Sequence, residues 1–327
     1  MIRILQSELN SPTKFKEKLK DFIIELQKYS LQKHNINFAF DEIGDLLLSA
    51  SRANEFNILE KKSNKKFLNE NLVFDWLEQK IIPITIISKL DDEDIIRLLI
   101  FCIEITYQMF LGGTKATTTQ KGFRQRRRSF ESILADQFVG KLGEVLLKKF
   151  LEKNFPVNIQ LDWEISTEIE KFRNDIINAD KKVSIKTSPT LAGIWAEADL
   201  GYDYGVMVKC FVPHPPILQF FIEACGFTKL INFLQDKIPP NNGIFQGYLT
   251  EIKTRIKDYK CGEAKTEIKG FICGYFKTKA NQIKYLGENL KYMGEIREER
   301  YIVPITELKW QLKDWEKFLY QVKLIKN

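Results

Sequence analysis

A chain of 327 residues is long enough for one large domain or two ordinary ones, and for a substantial buried core. Its 44% hydrophobic and 28% charged residues are typical of a soluble globular protein. Five scattered cysteines with no CxxC pair argue against a disulfide framework or a zinc knuckle, and two histidines, His34 and His214, exclude a three-histidine zinc site. Any metal chemistry must then use oxygen ligands, which suits Mg²⁺ or Mn²⁺.

The first residues carry no apolar run suited to a signal peptide, and we expect a cytoplasmic protein. The longest apolar stretch, residues 95–111, contains Arg97 and Glu104 and predicts a buried helix rather than a membrane span. We therefore expect no membrane partner.

The net charge of +7 is concentrated in residues 115–153, which hold ten Lys and Arg against four Asp and Glu. The centre of this segment is the run Arg124-Gln125-Arg126-Arg127-Arg128. A basic cluster of this kind predicts contacts with nucleic-acid phosphates. The alternative is a solvated helix start or an interface arm.

The first third of the chain predicts helices, at residues 15–31, 41–48, 72–90 and 94–111, from the spacing of its apolar residues. The glycine- and threonine-rich stretch 112–122 follows and is typical of a linker. We therefore predict a helical N-terminal module over residues 1–113 and a second unit over 114–327.

The order of helix and strand patterns in the second unit predicts an α/β layer. A long helix is expected over 123–155, followed by strands at 158–166, 175–178 and 182–187. A short helix at 191–200, a strand at 206–212 and a helix at 218–237 come next. Alternating strands over 251–286 and a helix over 307–323 complete the pattern.

Three polar residues stand out against these apolar elements. Asp175 opens one predicted strand, Lys186 lies on the next, and Glu144 belongs to a polar stripe of the preceding helix. A carboxylate that binds a divalent ion, beside a lysine that orients water, is the layout of a phosphodiesterase site. The structural alternatives are a turn carboxylate, a solvent-facing lysine and a Glu144–Lys148 ion pair.

Residues 138–212 resemble the core of the PD-(D/E)XK nuclease superfamily, in particular type II restriction endonucleases. The resemblance lies in Glu144 on the helix before the sheet, in Asp175, and in Ser184-Ile185-Lys186 at the position of the (D/E)XK triplet. It implies an α/β (α+β) fold with a mixed sheet flanked by helices. It also implies a catalytic site made of Asp175, Lys186, Glu144, Ser184 and Glu197.

The chain departs from the family pattern at two positions. Asn174 stands where a proline is expected, and Ser184 replaces the acidic residue of the triplet. Glu197, on the predicted short helix, or Glu144 would supply the missing metal ligand beside Asp175. Asp162 and Glu164 form a rival carboxylate pair, without a lysine at motif spacing.

The resemblance implies Mg²⁺-dependent, sequence-specific hydrolysis of double-stranded DNA that leaves 5′-phosphate ends, with Mn²⁺ as a substitute. It also implies a homodimer and a functional pairing with a DNA methyltransferase. Expected DNA contacts come from the basic cluster and from the end of the lysine-bearing strand: Lys121, Arg124, Arg126, Arg127, Arg128, Thr187 and Ser188. The alternatives are a DNA-repair or modification-dependent nuclease of the same superfamily, an RNA-processing nuclease, and a non-catalytic DNA-binding protein.

Overall fold

The computed structural model describes residues 1–89, 92–111, 130–163, 174–210 and 267–325, together with the isolated positions 243, 247 and 250. The predicted linker at 112–122, the basic cluster at 124–128 and the predicted helix at 218–237 lie outside the described residues. Within the described ranges the protein is a mixed α/β structure whose central mixed sheet is flanked by helices.

The N-terminal part combines short helices with a small antiparallel sheet of order β1-β3-β2. The two-residue turn between β2 and β3 has Ser63 and Asn64 at φ 49° and 60°, as a type I′ hairpin requires. Its elements are β1 (Ile2–Ile4), α1 (Gln6–Asn10), α2 (Pro12–Lys18), α3 (Lys20–His34), α4 (Phe40–Ala53), β2 (Leu59–Lys62), β3 (Lys65–Leu68) and α5 (Glu70–Trp76). A π-helical turn at Leu77–Ile81 then leads into α6 (Ile82–Ile84).

The central sheet has the order β4-β8-β7-β5. Strands β5 and β7 run parallel, and the other two pairs are antiparallel. The strands are β4 (Thr85–Lys89), β5 (Val183–Ser188), β7 (Tyr204–Cys210) and β8 (Glu267–Lys277). Strand β4 precedes the predicted boundary at residue 113 and forms an edge of this sheet, while the boundary itself borders residues outside the described ranges.

Three helices cover the central sheet: α7 (Glu93–Leu111), α8 (Phe130–Asn154) and α9 (Leu312–Gln321). Helix α8 packs its fully buried Phe138, Leu142 and Leu146 onto the strands. A Cβ at Gly270 of β8 would lie 2.5 Å from a Leu146 methyl group, so glycine permits this close approach. None of the described helices has the length and apolar character needed to cross a bilayer.

A second antiparallel sheet, of order β6-β12-β9, packs beside the first. Its strands are β6 (Trp195–Asp199), β9 (Ile283–Lys284) and β12 (Arg300–Pro304), and a ribbon of β10 (Asn289–Leu290) and β11 (Gly294–Glu295) lies between β9 and β12 in the chain. The buried Ala198 faces Gly205 of β7, where an added Cβ would lie 2.8 Å from the alanine methyl group. The two sheets therefore meet through small residues.

Most predicted elements are confirmed where they are described, namely the helices at α3, α4, α7, α8 and α9 and the strands at β5, β7 and β8. The predicted helix at 191–200 was wrong, because its residues 195–199 form β6 and pair with β12. The predicted helix at 72–90 ends at Ile84 and gives way to β4, and the small N-terminal sheet was also missed. Strands were also expected at 158–166 and 175–178. In the described parts of these ranges the structure has a single β-bridge, between Leu161 and Ile176.

Candidate active site

A cleft of about 330 Å³ opens between α8, β5 and the segment that precedes β5. Five carboxylates line it: Asp136 and Glu144 from α8, Asp162, Asp175, and Asp199 from the end of β6. Two lysines, Lys141 and Lys186, line the same cleft. The structure thus brings together the predicted Glu144, Asp175 and Lys186, and adds Asp199, which the sequence did not single out.

Asp175 is held in place by the chain around it rather than by a regular strand. Its Oδ2 accepts a hydrogen bond from the backbone N–H of Ile185 at 2.6 Å. The neighbouring Asn174 side chain accepts from the backbone N–H of Val183 at 3.0 Å and donates to the carbonyl of Lys181 at 3.0 Å. Through these hydrogen bonds Asn174, at the position where the family pattern has proline, holds this segment against the start of β5.

Burial raises the pKa of the Asp175 carboxyl above its ordinary value. The Ile185 hydrogen bond and the positive charges of Lys186 and Lys141 oppose this effect without cancelling it. The ionised form of Asp175 is therefore disfavoured by burial, and a nearby cation would stabilise it.

Glu144 lies at the base of the cleft with a side chain only 12% exposed. Burial, and next the charge of Asp175, raise the pKa of Glu144 to about 8. Lys141, one helical turn earlier, donates to Glu144 Oε2 at 2.6 Å and opposes the shift. The alternative pairing of Glu144 with Lys148 was wrong, because Lys148 pairs with Glu152 at 3.0 Å and with Asp94 at 3.5 Å.

Helix α8 reaches β5 closely enough to place Glu144 beside Lys186 because Gly143 has no side chain. A Cβ at Gly143 would lie 1.8 Å from Thr187 Oγ1. The Thr187 hydroxyl donates to the carbonyl of Gly140 at 3.1 Å and so ties the strand to the helix.

Lys186 and Asp199 form the ion pair at the mouth of the cleft. Lys186 Nζ lies 2.5 Å from Asp199 Oδ2, and both side chains are about one-third exposed, at 33% and 39%. Ser184, two residues before the lysine, is only 1% exposed and accepts a 3.5 Å hydrogen bond from the backbone N–H of Asp199. The Asp199 carboxylate, on β6 of the second sheet, thus lies beside Lys186 and close to Ser184.

The sequence around Asp199 contains a strand pattern that the helix prediction overlooked. Residues 195–199 alternate, with Ala196 and Ala198 buried and Trp195, Glu197 and Asp199 half-buried on the other face. This period of two is typical of a strand, and it places both acidic residues on one face.

Glu197 does not line the cleft that contains Asp175. Its carboxylate pairs with Arg300 of β12 at 3.1 Å. It lines a second, larger cleft that shares Lys186 and Asp199 with the first. The role of Glu197 as a metal ligand remains a prediction, and Asp199 is better placed for it.

Asp162, one member of the rival carboxylate pair, also lines the cleft, whereas Ser188 does not. The Ser188 hydroxyl closes a local turn, accepting from the Thr190 N–H at 3.2 Å and donating to the Thr190 carbonyl at 3.2 Å. His34 pairs with Glu78 in the N-terminal part. Lys121, Arg124, Arg126, Arg127, Arg128 and Glu164 lie outside the described residues.

Tyr202 completes the cleft wall beside these carboxylates. Burial, followed by the charges of Asp175, Asp199 and Glu144, raises the pKa of its hydroxyl to about 12. The phenol is therefore neutral near pH 7 and can donate a hydrogen bond there.

A divalent cation is the group that this donor set would suit. Within the described ranges, no three His, Cys, Asp or Glu side chains are close enough to make a ready-formed metal site. The cleft nevertheless offers five carboxylates, and burial disfavours the charge of two of them, Glu144 and Asp175. Carboxylate oxygens are the ligands that Mg²⁺ prefers, and a cation would relieve this cost.

Comparison of the chain with protein-family models, curated proteins and solved structures finds no match in any of the three. The geometry of the cleft is therefore the basis for assigning a function.

Proposed function

We propose that this protein is a metal-dependent DNA endonuclease with a core of the PD-(D/E)XK type. The observation that carries the proposal is the convergence of Glu144, Asp175, Lys186 and Asp199 in one cleft from four separate chain segments. Each of these residues alone has a simple structural explanation. Carboxylates gathered around a lysine in a cleft, at the cost of perturbed pKa values, are typical of a catalytic site.

The residues divide the work of phosphodiester hydrolysis between them. Asp175 and Asp199 would hold Mg²⁺, or Mn²⁺ in its place, with Glu144 in support. The bound cation supplies charge neutralisation on the phosphate and lowers the pKa of a water molecule. Lys186, fixed by Asp199, would orient the attacking water and offset the negative charge that develops on the phosphate.

In the net reaction, water oxygen forms a bond to phosphorus and the bond to the 3′ oxygen breaks. The water loses a proton and the 3′ oxygen gains one, which gives 5′-phosphate and 3′-hydroxyl ends. Within this class we propose a type II restriction endonuclease that acts on double-stranded DNA as a homodimer and is paired with a DNA methyltransferase. The repair and modification-dependent nucleases remain alternatives that use the same site.

The test is cleavage of unmethylated plasmid and phage DNA with Mg²⁺, with EDTA and with the variant Lys186→Ala. Lys182→Ala is the matched control, because Lys182 is exposed immediately before the same strand and lies in neither cleft. We expect discrete bands from the wild type and the control, and none with EDTA or Lys186→Ala. A smear with the same controls would leave a nuclease without restriction specificity.

A second pair of variants decides which carboxylate replaces the missing acid. Asp199→Asn is expected to lower the single-turnover cleavage rate by about 100-fold or more, since it removes charge that orients Lys186 and the cation. Glu197→Gln is expected to lose far less. The reverse order would return the metal role to Glu197.

One observation favours a second candidate, a non-catalytic DNA-binding protein. The Lys186–Asp199 ion pair engages both side chains with each other, and Ser184 stands in the place of an acid. DNA binding without cleavage under any metal condition would support this candidate and count against the endonuclease.

A further inference from the structure

A second cleft, of about 1010 Å³, adjoins the candidate active site. Lys186 and Asp199 line both clefts, so their ion pair lies where the two clefts adjoin. The wall opposite this pair is formed by residues 293–298, which belong to the β10–β11 ribbon and the chain that follows it. A polymeric substrate with its scissile phosphate at Lys186 would extend into this second cleft.

Most of the charged side chains in the second cleft already have partners. Arg300 pairs with Glu197 at 3.1 Å and with Glu298 at 2.7 Å. Lys186 and Asp199 pair with each other. Arg297 and Glu295 differ, because both are exposed and neither side chain has a hydrogen-bond or ion-pair partner among the residues that the structure describes.

The segment that carries these two side chains, β11 and the two residues after it, is fixed to the rest of the protein. Ile296, between them, is 3% exposed, and its backbone N–H donates to the carbonyl of Glu288 at 2.8 Å. At the turn, the Lys291 carbonyl accepts from Trp195 Nε1 of β6 at 2.8 Å. Glu295 and Arg297 thus project from a rigid base, which suits a recognition role.

The N-terminal helices hold the same turn from the other side. The Tyr292 hydroxyl accepts from Gln6 Nε2 of α1 at 3.0 Å, and the guanidinium of Arg52 of α4 lies 4.4 Å from the centre of the Tyr292 ring. Tyr292 has φ 66°, an unusual conformation for a non-glycine residue, and these contacts keep it there.

We propose that the β10–β11 ribbon and the chain that follows it read base edges of duplex DNA, with Glu295 at the end of β11 and Arg297 two residues beyond it, and this proposal rests on the endonuclease function proposed above. The major groove of B-DNA admits a two-stranded β ribbon. An arginine donates two hydrogen bonds to guanine O6 and N7, and a glutamate accepts one from cytosine N4. The sequence that the protein recognises then includes a G·C pair close to the cleavage point.

The charge of the second cleft separates base reading from phosphate binding. Its lining has three basic side chains, Lys186, Arg297 and Arg300, against four acidic ones: Glu197, Asp199, Glu295 and Glu298. A surface that tracks phosphates carries an excess of positive charge. This lining has a net charge of −1, and among the residues that the structure describes its Arg297 and Glu295 have no partner, so they can offer a donor and an acceptor to a base instead.

The experiment selects bound duplexes from a DNA pool with a random central segment, with Ca²⁺ in place of Mg²⁺. It uses the full-length wild type, Arg297→Gln, Glu295→Gln and the control Arg3→Gln. Arg3 is an exposed arginine on β1 and lies in neither cleft. Thermal unfolding of each variant verifies folding.

We expect the wild type and the control to select the same motif, with a G·C pair in it. Arg297→Gln loses the preference for guanine at one position and binds the best wild-type sequence about 5- to 150-fold more weakly, with an unchanged salt dependence. Glu295→Gln relaxes the choice at a cytosine position independently of the arginine.

Three results would overturn the inference, and they are distinguishable. A uniform loss of affinity for all sequences, with a salt slope that falls by about 1, would make Arg297 a phosphate contact. An unchanged motif in both variants, with a wild type that cleaves DNA, would remove the ribbon from recognition and leave the endonuclease proposal intact. A wild type that neither binds nor cleaves DNA would refute the endonuclease proposal, and the inference with it.

Discussion

Replacing Glu144 by glutamine is expected to make the metal-free protein more stable in alkaline solution than the wild type. The pKa of Glu144 rises from 4.5 to about 8 in the folded protein. Below pH 4.5 the carboxyl is protonated in both the folded and the unfolded state. As the pH rises above this value the unfolded chain ionises first, so folding becomes less favourable until the folded-state carboxyl ionises near pH 8.

The size of this effect follows from the same shift. One pKa unit corresponds to about 1.4 kcal/mol, so the free energy of unfolding falls by up to about 5 kcal/mol between acid and alkaline pH. A neutral glutamine of nearly equal volume keeps the packing and removes this titration. The advantage of Glu144→Gln over the wild type therefore grows with pH.

The assay is urea unfolding in EDTA, followed by tryptophan fluorescence, at intervals from about pH 5 to about pH 9. Glu152→Gln is the matched control on the same helix, and its carboxylate pairs with Lys148 at 3.0 Å. Parallel stability curves for Glu144→Gln and the wild type over this range would show that burial does not raise the pKa of Glu144, and would refute the reasoning.

Three further predictions concern the framework of the site. Gly143→Ala is expected to cost about 1–3 kcal/mol of unfolding free energy, because the added methyl group collides with Thr187. Gly140→Ala is the control: nothing lies within 4 Å of its Cβ, so it is expected to be neutral or to stabilise α8. Equal effects of the two substitutions in thermal unfolding would contradict the close helix–strand contact. Asn174→Ala is expected to lower the free energy of unfolding by about 2 kcal/mol and to slow cleavage, because it leaves backbone groups at the start of β5 without partners. Urea unfolding measures the first effect and a cleavage assay the second. Lys209→Met is expected to destabilise the fold by about 2–4 kcal/mol, since the buried amino group of Lys209 donates hydrogen bonds to three oxygens. A variant as stable as the wild type in urea unfolding would show that these oxygens need no donor.

The sequence predicted those elements whose local pattern agrees with their tertiary setting. Helix α8 is 25 residues long and β7 is buried along its whole length, and the predicted site residues Glu144 of α8 and Lys186 of β5 do meet in one cleft. The mixed α/β architecture was predicted for the same reason. The length of an apolar segment separates a long buried helix from a short buried strand, and for these elements it was sufficient.

Strand β6 was missed because its composition and its environment disagree. Alanine and glutamate favour helices, and the segment Trp-Ala-Glu-Ala-Asp contains both types. In the fold, the two alanines pack in the narrow space between the sheets, and β12 supplies the hydrogen-bond partner. Asp199 was overlooked as a direct result, since it is the strand, and not a helix, that places it beside Lys186.

Strand β4 was absorbed into a predicted helix for a similar reason. The run from Ile81 to Lys89 is apolar throughout its first half, so a helical spacing continues across it. Its β-branched Thr85, Ile86 and Ile87 favour a strand once a partner is present. That partner, β8, lies far along the chain.

The distance along the chain between β4 and β8 has a consequence for biosynthesis. Strand β4 leaves the ribosome early, yet its hydrogen-bond partners at residues 267–271 come from the last fifth of the chain. Until then its edge is open to other chains, which makes nascent or truncated forms prone to aggregation. Fragments that end before residue 267 are expected to require chaperones or to precipitate, and the full chain is expected to fold slowly because this pairing is so distant in sequence.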